Sequence, residues 1–217
     1  MDLVQKKFEG RRRKINIIVK ENLVSHKGKV EYKDRCKRIN QKGVVIWFTG
    51  ISGSGKSTIA IDLEMELTRI DKLVYRLDGD DIRGGLCSDL GFSENDRNEN
   101  VRRISEVAKL FKDTGIITIV SCISPLKLMR KLAKEKIGKD AFIEVYIKAS
   151  LETCINRDPK GMYKKAISGQ IKNFTGISAK YESPENPDIV VDTENLTVNE
   201  SILKISNYIK EYDQLFF

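Results

Sequence analysis

The sequence predicts an α/β fold built on a doubly wound, mostly parallel five-stranded sheet. Two observations carry that expectation: short runs rich in Val and Ile recur along the chain, and helix-length amphipathic stretches separate them. The runs fall at residues 44–49, 73–77, 116–120, 142–147 and 189–191. A helix over 56–69 follows the first run through a glycine-rich turn. A second, over 94–113, carries Val101, Ile104, Ala108 and Phe111 at helical spacing behind the capping pair Ser93 and Asp96. Helices over 125–136 and 151–156 follow the third and fourth runs, and a last one over 198–213 sets Ile202, Ile205 and Ile209 behind Thr197 and Glu200. Two stretches, 78–93 and 157–184, are long, polar and glycine-bearing, and loops of that length in a compact domain tend to be functional.

The 217 residues suit one domain over 43–217 preceded by an arm over 1–42. The net charge of +8 belongs to the arm, which holds 14 Lys and Arg against 5 Asp and Glu. A basic arm suits RNA, DNA or an acidic protein surface. The alternative, a solvated extension, is favoured because no aromatic residues interleave with Arg11, Arg12 and Arg13, which argues against nucleic acid as a partner. No apolar run approaches the ~18 residues of a membrane span. The start lacks the continuous apolar core of a secretory signal, so a cytoplasmic location is expected. Cys36, Cys87, Cys122 and Cys154 are scattered and His26 is the single histidine, which argues against zinc.

The stretch GISGSGKST at 50–58 matches GxxxxGK[ST]. Its glycines let backbone N–H groups turn inward around phosphate oxygens. Lys56 brings a point charge to the outer phosphates, Ser57 offers a hydroxyl to Mg²⁺, and the following helix points its positive end at the same place. With a strand before it and a helix after it, this is a phosphate-binding loop, and the fold becomes one of P-loop NTPase type with a lid segment near 157–184.

The strand over 116–123 ends without an aspartate, whereas Asp78, Asp80 and Asp81 follow the second run. Strand ends line the ligand crevice of an open parallel sheet, so these acids should face the γ-phosphate, where they orient metal-bound water or accept a hydroxyl proton. A small-molecule kinase fits that arrangement better than a motor. Arg157, Lys160, Lys164 and Lys165 are either lid charges for phosphate oxygens or a solvated face. Phe92 and Phe174, each in a polar glycine-containing loop, either sandwich a base or anchor their loops in the core.

Together with DRNENVRR at 96–103, ISP at 123–125 and RDPKG at 157–161, these residues resemble adenylyl-sulfate kinase, over roughly 43–185. The resemblance implies ATP-dependent phosphorylation of the 3′-hydroxyl of adenosine 5′-phosphosulfate, and typically a homodimer that works with an ATP sulfurylase. It implies that Gly50, Ser52, Gly53, Ser54 and Gly55 form the ATP loop with Lys56, Ser57 and Thr58. Mg²⁺ falls to Ser57 and Asp80, and Lys56, Asp80 and Ser124 become the catalytic set. Asp80, Asp81, Arg83, Arg97 and Asn100 approach the sulfated nucleotide. Phe92 and Phe174 stack on its adenine, Ile123, Ser124 and Thr175 contact it, and Lys160 reaches its anions from the lid. Ser124 occupies the place proposed in the family for a phosphoserine intermediate; direct in-line transfer is favoured here, because a loose phosphoryl transition state needs positioning and charge more than a nucleophile.

The chain departs from the family pattern at Asp81, Gly84, Cys122, Leu126, Ile167 and Ser178. The extra carboxylate of Asp81 should oppose two anionic substrates unless Mg²⁺ or Arg83 compensates. A regulatory nucleotide-binding module without turnover, or a kinase for another small hydroxyl acceptor, are the alternative readings.

Overall fold

The computed structural model describes residues 24, 26 and 28–216, with side chains through residue 211. The chain divides into two units, Met1–Glu31 and Tyr32–Phe217. In the first, the described positions carry no helix or strand and are exposed; the basic run at 11–13 lies outside the described residues. The second begins with helix α1 (Tyr32–Ile39), ahead of the boundary expected at 43. Just after α1, the buried Gln41 side chain holds the main chain at Leu73 and Gly115 through three hydrogen bonds of 2.8–2.9 Å.

The elements then run β1 (Val45–Thr49), α2 (Lys56–Arg69), β2 (Val74–Asp78), α3 (Gly79–Gly84), α4 (Glu94–Asp113), β3 (Ile117–Ser121), α5 (Lys127–Ile137), β4 (Phe142–Lys148), α6 (Leu151–Arg157), α7 (Met162–Ile167), β5 (Ile189–Asp192) and α8 (Val198–Phe216). The five strands are all parallel, in the order β2-β3-β1-β4-β5. The long capped helices stand where periodicity put them, and Ser93 and Asp96 form a reciprocal capping box. Both stretches expected as loops contain a short helix, since each has its own carboxylate cap. Asp78 accepts from the Asp80 N–H to start α3, and Asp158 accepts from the N–H groups of Tyr163 and Lys164 in α7, all at 3.0 Å.

Alternation along β1 decides which helices lie on which face. Ile46 and Phe48 pack with Leu63 and Leu67 of α2 and Ile205 of α8, while Val45 and Trp47 pack with Ile104 of α4 and Met129 of α5. All of β1 is buried, and each fully buried large apolar side chain contributes roughly 2 kcal/mol. A third cluster, with Ile51, Cys154, Tyr163 and Phe174, lies under α6 and α7. Because all strands run the same way, Thr49, Asp78, Ser121, Lys148 and Asp192 end at one edge of the sheet, and the candidate site opens there.

Candidate active site

The loop between β1 and α2 folds as its glycines require. A Cβ at Gly50 would stand 2.4 Å from the Ile147 carbonyl oxygen and 2.7 Å from Ser54 Oγ. Gly55 has φ +99° at the N-cap of α2 and provides no side-chain cap, so the first N–H groups of the helix point outward for a ligand. Lys56 is buried, and its Nζ donates to the Ile51 carbonyl at 2.8 Å. That burial lowers its pKa to about 8, against weaker opposing effects of nearby acidic groups. Ser57 Oγ donates to Asp78 Oδ2 at 2.9 Å, so a hydroxyl and a carboxylate already share one point at the mouth of the loop. Both are hard oxygen donors of the kind Mg²⁺ takes.

A cleft of about 930 Å³ runs from this loop past the ends of β2 and β3. Ser52, Gly53, Gly55, Lys56, Ser57 and Thr58 line the end beside the glycine-rich loop; Gly50 and Ser54 lie outside the lining. Asp80, Arg83, Phe92, Arg97, Asn100, Ile123, Ser124, Lys160, Phe174 and Thr175 line the rest, so residues from five separate segments meet in one space. Arg97 joins the two phenylalanine loops: its guanidinium donates to the Phe92 carbonyl (3.0 Å), Thr175 Oγ1 (2.8 Å) and the Asn173 carbonyl (2.5 Å). Arg83 donates to the Gly91 carbonyl at 2.8 Å and lies 4.5 Å from the centre of the Phe92 ring. Asn100 is buried with Oδ1 unpartnered.

The two phenylalanines differ. Phe92 is 56% exposed, whereas Phe174 is 8% exposed and meets Tyr163 edge-on at 4.9 Å. Phe174 is thus both a core anchor and a cleft wall. Across the cleft, Lys160 Nζ lies 2.5 Å from Asp80 Oδ2, a contact that raises the lysine pKa. Tyr163 Oη donates to the Ser52 carbonyl at 2.8 Å and fastens α7 to the phosphate loop.

Not every residue expected at the site lines this cleft. Asp81 stands outside the cleft lining, its carboxylate exposed and 3.8 Å from Arg76, because the turn of α3 directs it away. Lys164 and Lys165 are exposed outside the cleft, leaving Arg157 and Lys160 as the basic residues of that stretch that line it besides Lys172. Arg157 donates to Thr193 Oγ1 (2.9 Å) and the Thr193 carbonyl (2.7 Å). Ser124 is buried at φ +37°, and its Oγ accepts from Trp47 Nε1 at 3.0 Å. The cleft also contains Asp78, expected among the acids facing the γ-phosphate, and Tyr163 and Thr193, to which no site role was given. Asp78 was legible as the first acid after a strand; Thr193 carried no signal, lying in a polar turn after the last strand.

Comparison with known proteins adds an independent line. The family model for adenylylsulphate kinase matches residues 42–192. The adenylyl-sulfate kinase of Staphylococcus epidermidis is 52% identical over 190 residues, covering 88% of this chain and 96% of that protein. The adenylyl-sulfate kinase of Clostridium acetobutylicum is 53% identical over 191 residues, covering 88% and 95%. The structure of the Mycobacterium tuberculosis APS kinase in complex with AMPPNP and APS superposes with a TM-score of 0.75 at 43% identity, covering 78% of this chain and 99% of that one.

Proposed function

The chain belongs to the adenylylsulphate kinase family, and from that premise we infer that it transfers the γ-phosphoryl group of ATP to the 3′-hydroxyl of adenosine 5′-phosphosulfate. One observation supports this most: the phosphate loop, Asp80, Arg83 and both phenylalanines share a single cleft, so two nucleotides fit end to end. A non-catalytic module, or a kinase for another acceptor, accounts less well for this full set.

In the donor half, Lys56 exchanges its bond to the Ile51 carbonyl for the outer phosphates, and the amides of 53–57 surround them. Ser57 with Asp78 and Asp80 would hold Mg²⁺, which would supply charge that neutralises the phosphates. In the acceptor half, the adenine stacks between Phe92 and Phe174, while Arg83, Arg97 and Asn100 receive the phosphosulfate end. Asp80 orients the 3′-hydroxyl and takes its proton once Lys160 leaves it for the anions. Ser124 holds the wall: its hydroxyl is already engaged by Trp47, which favours in-line transfer over a phosphoserine.

Four thiols, none paired, are consistent with the cytoplasm, and no described helix is long and apolar enough to cross a membrane. By resemblance, the working unit is a homodimer supplied by an ATP sulfurylase, and light scattering of the purified protein tests the dimer. Incubation with ATP, Mg²⁺ and adenosine 5′-phosphosulfate is expected to yield the 3′-phosphorylated product. ATP hydrolysis without that product would move the chain to the regulatory reading.

A further inference from the structure

Ser124 holds a backbone conformation that L side chains rarely adopt, φ +37°, and such a residue persists only when its surroundings fix it from several sides. Three groups do so. Trp47 Nε1 donates to its Oγ at 3.0 Å, Thr49 Oγ1 donates to the neighbouring Ile123 carbonyl at 2.7 Å, and Arg130 Nη1 donates to the Ser124 carbonyl at 2.8 Å. Arg130 lines none of the cleft and is 3% exposed.

The other arms of the same guanidinium reach two further elements. Nη2 donates to the Glu182 carbonyl at 2.7 Å, and Nε stands 2.7 Å from Glu144 Oε1 in an ion pair. Glu144 is the register partner of Trp47 on adjacent strands, so both sides of the grip are rooted in the sheet. Glu182 is itself fastened to the Ser124 wall, its N–H donating to the Pro125 carbonyl at 2.8 Å and its carboxylate accepting from the Lys127 N–H at 2.9 Å. Residue 182 closes the stretch that brings Lys160, Phe174 and Thr175 into the cleft.

We propose that Arg130, held by Glu144, is a positioning residue for the acceptor nucleotide: one planar fork ties the Ile123–Ser124 wall to the end of the stretch that carries Phe174. A rigid planar fork can donate to two carbonyls on separate segments while its Nε stays paired with a carboxylate, whereas a lysine ammonium puts its donors on one compact point of a flexible stem. The donor half is built on the phosphate loop and α2, to which Arg130 makes none of these bonds. Small displacements in a bound geometry cost rate and affinity steeply, so the effect falls on one substrate.

The inference rests on the acceptor assignment above. Steady-state kinetics and melting of Arg130→Lys against the wild-type protein test it. The KM for adenosine 5′-phosphosulfate is expected to rise about tenfold, while that for ATP stays within about twofold. An equal rise in both constants, or a lower melting temperature with the acceptor KM unchanged, overturns it. If Arg130→Lys does not fold, Glu144→Gln, which keeps the shape and removes the charge, must raise the acceptor KM alone by about threefold, and an unchanged value overturns the proposal. A wild-type protein that makes no 3′-phosphorylated product sinks the acceptor assignment itself, which separates the two failures.

Discussion

Lys160 and Asp80, far apart in sequence, meet across the cleft with Nζ and Oδ2 2.5 Å apart. Both side chains are largely exposed, so the pair contributes little to stability and its value lies in what it releases. With the anions bound, the lysine has a better partner and the aspartate is free to face the hydroxyl. Lys160→Ala is therefore expected to lower kcat/KM for the acceptor by about a hundredfold, with the melting temperature changed by no more than about 1 °C. A drop in melting temperature with kinetics intact would show a structural pair instead.

The buried Lys56 makes ATP binding depend on pH. Its folded pKa of about 8 lies below its ordinary value of 10.5. Below pH 8 both folded and unfolded chains carry the proton, and the folded state bears the full cost of burying the charge. Between about 8 and 10.5 the unfolded chain binds more protons, so this group's contribution to stability rises with pH across that window. Affinity of the free protein for ATP is expected to fall as pH rises through about 8, read by calorimetry. Lys56→Met should raise the melting temperature of the unliganded protein while abolishing ATP binding.

The unequal burial of the two phenylalanines predicts unequal variants. Phe92→Ala is expected to weaken the sulfated nucleotide by about ten- to a hundredfold and leave stability unchanged. Phe174→Ala should show the same loss and in addition cost about 3 kcal/mol in denaturant unfolding, because it empties a packed position beside Tyr163. Loss of ATP affinity to the same degree would contradict the sandwich.

Asp81→Asn removes the carboxylate that departs from the family pattern and keeps its shape. Since the carboxylate faces Arg76 at 3.8 Å outside the cleft, the acceptor KM should stay within about twofold. A several-fold fall would mean that the charge is felt by the substrates after all.

The sequence by itself determined the strands, the five helices that follow them and the phosphate loop. Each is a local pattern: a run of β-branched residues, a capped period of 3.6, and glycines at fixed spacing before Lys56 and Ser57. Tertiary structure alone decided the rest. It turned Asp81 away and left Asp78 against Ser57, buried Phe174 while exposing Phe92, and ran one guanidinium from Glu144 to Ser124 and Glu182. Spacing along a chain states which residues share a helix face or a turn. Which carboxylate of three meets a hydroxyl, or which arginine grips two distant carbonyls, depends on how separate elements are brought together by packing. No local pattern carries that information.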